Sequence, residues 1–271
     1  MCELLAMSSR QATQLTFSLA ALSSHSAAPG VSRDGWGVAY YQGQDVALFR
    51  EPGAASDSSL VRCLESQGPE TSLAISHIRH ATQGAVSLAN SQPFVRECAG
   101  KMQAFAHNGD LAGIEQSGLH LPDRYRPVGS TDSEIAFCAL LERLSQACGP
   151  SRKPLSLDQR LDLVAAFAAD LRPLGPANFL YADGDTLFAH GHRRFQPSTG
   201  NIAPPGLHVL SRHCELAQTR VDGDGVSVAG GGFQDVVLVA SFPLSNEGWR
   251  PLAEGEVIAI ASGKVRGSRL A

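Results

Sequence analysis

The segments TDSEIAFCALLERL (residues 131–144), LSLDQRLDLVAAFAADL (155–171) and NFLYADGDTLFAH (178–190) follow one another closely, and their hydrophobic period changes between the second and the third. Thr131-Asp132-Ser133-Glu134 has the capping-box pattern of a helix start, continued by Ile135 to Leu144. Leu157, Leu161, Val164, Phe167 and Leu171 recur at helical spacing and predict a second helix over 155–171. Asn178–Ala182 and Thr186–His190 then read as two strands joined by Asp183-Gly184-Asp185, a glycine-containing hairpin turn.

Outward from this centre the chain reads mostly as strands. Gly37–Tyr41 and Asp45–Phe49, split by Gln42-Gly43-Gln44, predict another hairpin, and Leu73–His77 and Met102–Ala106 are apolar runs of strand length. Val236–Ala240 and Val257–Ile260 are nearly continuous β-branched and apolar runs, as expected of strands buried on both faces. Residues 11–23 place Leu15, Leu19 and Leu22 on one helical face, which predicts a helix there. The Gly- and Pro-containing stretches 148–154 and 197–206 read as loops. Strands, two helices and strands again make a layered α+β domain, and no composition shift divides it.

Composition narrows the function. The 271 residues are 43% hydrophobic and 18% charged, which excludes wholesale disorder. With 26 acidic against 22 basic residues the net charge is −4, the wrong sign for general nucleic-acid binding. No apolar run approaches the ~20 residues that span a bilayer, so no membrane partner is expected. The start, Met1-Cys2-Glu3-Leu4-Leu5-Ala6, lacks the basic and apolar regions of a signal peptide, and a cytoplasmic location is the expectation. Six cysteines at scattered spacings, without a C-x-x-C pair, read as free thiols rather than a zinc ribbon.

Four stretches carry side chains suited to chemistry. Cys2 follows an initiator methionine that is removed before small residues. Removal leaves a thiol and an α-amine, of reference pKa ~7.7–8.0, on one residue, so nucleophile and base come together. Taken alone, a cysteine after methionine is more often there by chance. In Ser76-His77-Ile78-Arg79-His80-Ala81-Thr82-Gln83-Gly84 a strand ends in Arg79, whose guanidinium fork suits a carboxylate, or simply a surface. In Ala106-His107-Asn108-Gly109 the Asn108 amide and the Gly109 N–H could converge on an oxyanion, or form a plain turn. Asp34-Gly35-Trp36-Gly37 lets backbone approach a large aromatic, and Asp132 could hold an ammonium or merely adjoin a helix cap.

The order Met-Cys, D-G-W-G, H-I-R-x-A-T-x-G, H-N-G and S-T-D-S-E resembles the class-II glutamine amidotransferases, and most closely their stand-alone, YafJ-like subgroup. The Cys-Glu-Leu-Leu start and Ser245-Asn246-Glu247-Gly248-Trp249 add to the likeness. Positions 80 and 83 are His and Gln where some members have Trp and His, and Val31-Ser32-Arg33 replaces a frequent His-Arg-Gly. The resemblance implies a four-layer αββα N-terminal-nucleophile hydrolase in one domain over 2–271. It implies Cys2 as nucleophile, Asn108 and Gly109 as oxyanion hole, Arg79 on the substrate α-carboxylate, Asp132 on its α-ammonium and Thr82 lining the pocket.

The expected activity is hydrolysis of the γ-amide of glutamine or of a γ-glutamyl compound through a Cys2 thioester, with no cofactor and no metal. Within the same fold, a glutaminase subunit feeding ammonia to a separate synthase chain is one alternative, and an enzyme specific for a γ-glutamyl peptide or thiol conjugate is a second. A different class is a metal-dependent hydrolase using His77, His80, His107, His190 and His192, of which His190 and His192 would share a strand face. A non-catalytic binding protein is the remaining alternative.

Overall fold

In a computed structural model, residues 2–17, 34–81, 84–119, 124–150, 153–214, 219–223, 226–230 and 233–271 are described. The elements, in chain order, are β1 (Glu3–Phe17), β2 (Trp36–Gln42), β3 (Asp45–Glu51), α1 (Ser59–Gln67), β4 (Glu70–Ile78), β5 (Phe94–Cys98) and β6 (Lys101–Gly109). Then come α2 (Asp132–Cys148), α3 (Leu157–Leu171), β7 (Ala177–Ala182), β8 (Leu187–Gly191), β9 (Arg194–Gln196), β10 (Asn201–Ala203) and β11 (His208–Cys214). The chain closes with β12 (Thr219–Gly223), β13 (Val226–Gly230), β14 (Gln234–Ala240), β15 (Arg250–Pro251), β16 (Glu256–Ala261) and β17 (Lys264–Leu270).

Two antiparallel sheets dominate. The first runs β15-β11-β14-β1-β4-β2-β3, with the β12–β13 pair joined to β1. The second runs β17-β16-β8-β7-β6-β5, and β9 and β10 form a separate two-stranded ribbon.

Strand alternation explains why the sheets stack. On β1, Leu4 and Ala6 face the second sheet, while Leu5 and Met7 face outward onto Val61 and Leu64 of α1. On β6 and β7, Ala104, Ala106, Leu180 and Ala182 face the first sheet, while Phe105, Phe179 and Tyr181 meet Phe137, Leu141 and Phe167 of α2 and α3. The Phe105 and Phe137 rings stack with centroids 5.4 Å apart. Because both faces of the central strands are covered, their sequences are apolar throughout: every residue of β14 is buried. The result is the four-layer αββα sandwich.

The helix ends follow their caps. Ser156 and Gln159 form a complete capping box at α3. Thr131 caps α2 by accepting from the Glu134 N–H, but the reciprocal half is absent. Glu134 instead accepts from Arg96 at 2.5 Å and from the Gly129 N–H at 2.7 Å, so its carboxylate is buried with a partner.

Two expectations are corrected. The helix over 11–23 is strand as far as Phe17, where Gln14–Phe17 pair with Val226–Ala229, and residues 18–23 lie outside the described residues. A ladder partner for the backbone outweighs the helical leucine spacing. The stretch 197–206, read as a loop, contains β10, because three-residue strands are too short to show alternation.

Candidate active site

Cys2 immediately precedes β1, a central strand of the first sheet. Its neighbour Glu3 pairs with Ile78 at the end of β4, so Cys2 comes level with the chain leaving that strand. There the His80 N–H donates to Cys2 Sγ at 3.3 Å, and the thiol donates to the His80 carbonyl at 3.4 Å. Burial pushes the thiol above its ordinary pKa and the His80 N–H opposes that shift. An N–H aimed at sulfur stabilises a thiolate as it forms.

The turn after β4 is held by the D-G-W-G segment. Asp34 accepts from the Ala81 N–H at 2.9 Å, and the Arg79 N–H donates to the Gly35 carbonyl at 2.8 Å. Gly35 has φ +130°, and a Cβ there would lie 2.8 Å from Ser91 Oγ, so this close packing requires glycine. Trp36 is fully buried and donates from Nε1 to Glu51 at 3.1 Å.

Asn108 reaches the same place from the second sheet. It lies near the end of β6, and its Nδ2 donates to the Cys2 carbonyl at 2.6 Å. Asn108 and Gly109 pair with Asn178 and Ala177 of β7, so they are strand residues and not a turn. A Cβ on Gly109 would collide with the Pro176 carbonyl, which explains glycine there. Cys2, His80, Asn108 and Gly109 line one cavity of about 250 Å³, together with Asp110, Pro176, Arg193, Arg194, Phe195 and Ile202.

The other expected residues are placed differently. Arg79 is only 3% exposed, and its guanidinium donates to the carbonyls of Asp34, Gly84 and Ala85 at 3.1–3.3 Å. It clasps the loops around the turn and is not a surface arginine. Asp132 accepts from the N–H groups of Leu111 and Ser133, both at 2.7 Å, and lines a neighbouring cavity of about 220 Å³. Asp110 lines the Cys2 cavity and Leu111 the Asp132 cavity, so the two flank one short segment. Thr82 lies outside the described residues.

His190 and His192 do share a side, with ring centroids 6.1 Å apart, but His190 Nδ1 is 2.7 Å from the Ala177 carbonyl. Burial holds His77 and His190 down at pKa values of about 3. Among the described residues, no three His, Cys, Asp or Glu side chains gather as metal ligands would. No helix among them is long and apolar enough to cross a membrane. Ser245 to Trp249 closes on itself, Trp249 Nε1 donating to Ser245 Oγ at 3.1 Å, and packs Trp249 on the outer face of the first sheet.

Several positioning residues carried no sequence signal. Buried Asn178 donates to the Asn108 carbonyl at 3.1 Å and to the Arg193 carbonyl at 2.6 Å, and accepts from the His192 N–H at 2.7 Å. Ser241 accepts from the Leu4 N–H at 2.9 Å and returns a backbone bond to the Leu4 carbonyl. Both are common polar residues whose partners are distant in sequence.

An αββα sandwich with a cysteine beginning a central strand and an Asn-Gly pair facing it defines an N-terminal-nucleophile amidotransferase fold. The model of the family described as glutamine amidotransferases class-II matches residues 1–270, and the chain belongs to that family. YafJ of Escherichia coli K12, a glutamine amidotransferase by name, is 32% identical over 260 residues, covering 94% of this chain and 96% of YafJ. A Haemophilus influenzae protein with the same family name is 31% identical, covering 97% of this chain and 85% of its own length. The crystal structure of a predicted glutamine amidotransferase from Pseudomonas aeruginosa PA01 superposes with a TM-score of 0.73 at 31% identity, covering 98% of this chain and 100% of that one. Glutamine phosphoribosylpyrophosphate amidotransferase from B. subtilis shares the fold at 17% identity and a TM-score of 0.58, over 99% of this chain and 49% of that one.

Proposed function

We propose that residues 2–271 act as one amidohydrolase unit that cleaves the γ-amide of glutamine or of a γ-glutamyl compound through a thioester on Cys2. The observation that carries this reading is the meeting of Cys2, the His80 N–H and the Asn108 amide across the two sheets. Once Met1 is removed, the α-amine of Cys2 accepts the thiol proton and sulfur attacks the γ-carbonyl carbon. The carbonyl oxygen becomes negative, and the Asn108 amide and the Gly109 N–H stabilise it. Collapse breaks the C–N bond, and the amine leaves with the proton held by the α-amine. Water then adds to the thioester, the C–S bond breaks, and glutamate leaves with the thiol restored.

Recognition of the glutamyl half falls to Arg79, Asp132 and Thr82 in this reading. Supporting it, Arg79 adjoins His80, whose N–H meets Cys2, and Asp132 lines the neighbouring cavity. To hold an α-carboxylate, Arg79 would exchange one of its loop carbonyls for it. The deciding experiment is glutamate release from glutamine and simple γ-glutamyl amides by protein whose intact mass shows that Met1 is gone. Release that disappears in Cys2→Ala supports the reading, and absence of release from every such substrate sinks it.

A further inference from the structure

The Cys2 cavity is larger than departure of ammonia requires. One molecule the size of water or ammonia needs roughly 10–15 Å³, against about 250 Å³ here. Neither Arg79 nor Asp132, the groups assigned to the glutamyl half, lines this cavity; Arg193, Arg194, Phe195 and Ile202 do.

Phe195 and Ile202 are direct cross-strand partners on the β9–β10 ribbon, so their side chains share one face. Both are large apolar residues left open to solvent, Phe195 36% and Ile202 60% exposed. Isolated apolar residues on a surface need no explanation, but a paired aromatic and aliphatic face lining the nucleophile's own cavity does. The ribbon is firmly held. Gln196 Nε2 donates to the carbonyls of Ala203 and Pro205 at 2.8 and 2.9 Å, and Arg194 donates to the Ser241 carbonyl at 2.6 Å. A preformed apolar wall loses little entropy when it is covered.

We infer that Phe195 and Ile202 form the subsite for the departing amine, and that the substrate is a γ-glutamyl amide whose amine half carries an apolar side chain. The inference rests on Cys2 being the nucleophile. The reaction for such a compound is γ-glutamyl-phenylalanine plus water giving glutamate and phenylalanine, by the thioester route above. Glutamine, which releases only ammonia, leaves the wall unused.

The test compares glutamine, γ-glutamylglycine, γ-glutamylleucine and γ-glutamylphenylalanine as substrates of the mature wild-type protein and of the double variant Phe195→Ser, Ile202→Ser. Wild-type kcat/KM should be at least about tenfold higher for the leucine and phenylalanine compounds than for glutamine or γ-glutamylglycine. The double variant should lose that advantage, chiefly through KM, while glutamine and γ-glutamylglycine change less than about twofold and the melting temperature holds. Equal kcat/KM across the wild-type series overturns the inference and leaves Cys2 as nucleophile. So does a variant that alters no substrate, which would fit a wall made for a protein partner, or one that alters all four alike. If the wild type releases glutamate from none of the four, the assignment of Cys2 falls too.

Discussion

Arg194 Nη2 lies 3.1 Å from the carboxylate of Glu3, so the ribbon lining the cavity is tied to the residue that follows Cys2. Both side chains are nearly buried, at 10% and 4% exposure. Burial pushes Glu3 up to about 7 even though Arg194 opposes the shift. A carboxyl raised in the folded state stabilises the protein at low pH, and that contribution fades as pH climbs from 4.5 through about 7.

Arg194→Met should therefore be more harmful at pH 8 than at pH 5. At the lower pH, Glu3 takes a proton and tolerates an apolar neighbour. At the higher pH an unpaired carboxylate is buried, and breaking such a pair costs about 3 kcal/mol. Thermal unfolding at the two pH values checks this, and an equal loss at both would show that Glu3 is ionised throughout.

The nucleophile is tested by its own chemistry. Cys2→Ser keeps the shape but replaces the thiol with a hydroxyl of far higher pKa, so turnover should fall by orders of magnitude. Cys63, Cys98 and Cys148 lie outside the Cys2 cavity and should each tolerate Ala without comparable loss. Steady-state glutamate release by the four variants measures this directly.

In the proposed mechanism, Asn108 acts on a charge present only in the transition state. Asn108→Ala should cost about 2.7–4 kcal/mol, seen as a kcat roughly 100- to 1,000-fold lower with KM little changed. A change confined to KM would place Asn108 on the ground-state substrate instead.

Arg79 and Asp132 should separate by stability. Arg79 serves three carbonyls that lysine cannot all reach, so Arg79→Lys should lower stability by about 1–3 kcal/mol as well as raise KM. Asp132→Asn keeps an oxygen for the Leu111 N–H, so it should fold almost normally yet raise KM about ten- to a hundredfold. Melting temperature and KM, measured together, resolve the two roles.

Acid should unfold the protein through its buried histidines. His77 and His190 are held at about 3 by burial, below their ordinary 6.5. Between those limits the unfolded chain binds protons that the folded one refuses, so stability drops as pH falls, by about 1.4 kcal/mol per pH unit for each histidine. His190→Phe should flatten that slope in denaturant titrations at pH 4–6.

The sequence was most legible where motifs follow a fixed order. Cys2, Asn108 and Gly109 stood out because the Met-Cys start and the H-N-G run belong to a recognisable succession, and the structure brings all three to one cavity, whatever their chemical roles. The hairpins across Gly43 and Gly184 were readable because runs of strand length flank a glycine at positive φ. Arg79 shows the limit: its position at a strand end was evident, but its carbonyl partners come from loops whose path no local pattern encodes. The same holds for Asn178, Ser241 and the β9–β10 ribbon, which depend on contacts distant in sequence or on strands of three residues.

Cys2 stands at the start of a strand in one sheet and Asn108 near the end of a strand in the other, and the seam between the sheets sets Ala6, Ala39, Ala104, Ala106, Ala182 and Ala189 among larger aliphatic side chains. The thickness of that seam therefore works as a caliper for the approach of Cys2 to Asn108. In the proposed mechanism, a methyl group added at one of these alanines would prise the jaws apart and retune the rate while Cys2 and Asn108 kept their identity. Evolution could adjust the speed of such an enzyme from deep within its interior, at positions that an inspection confined to the pocket would pass over.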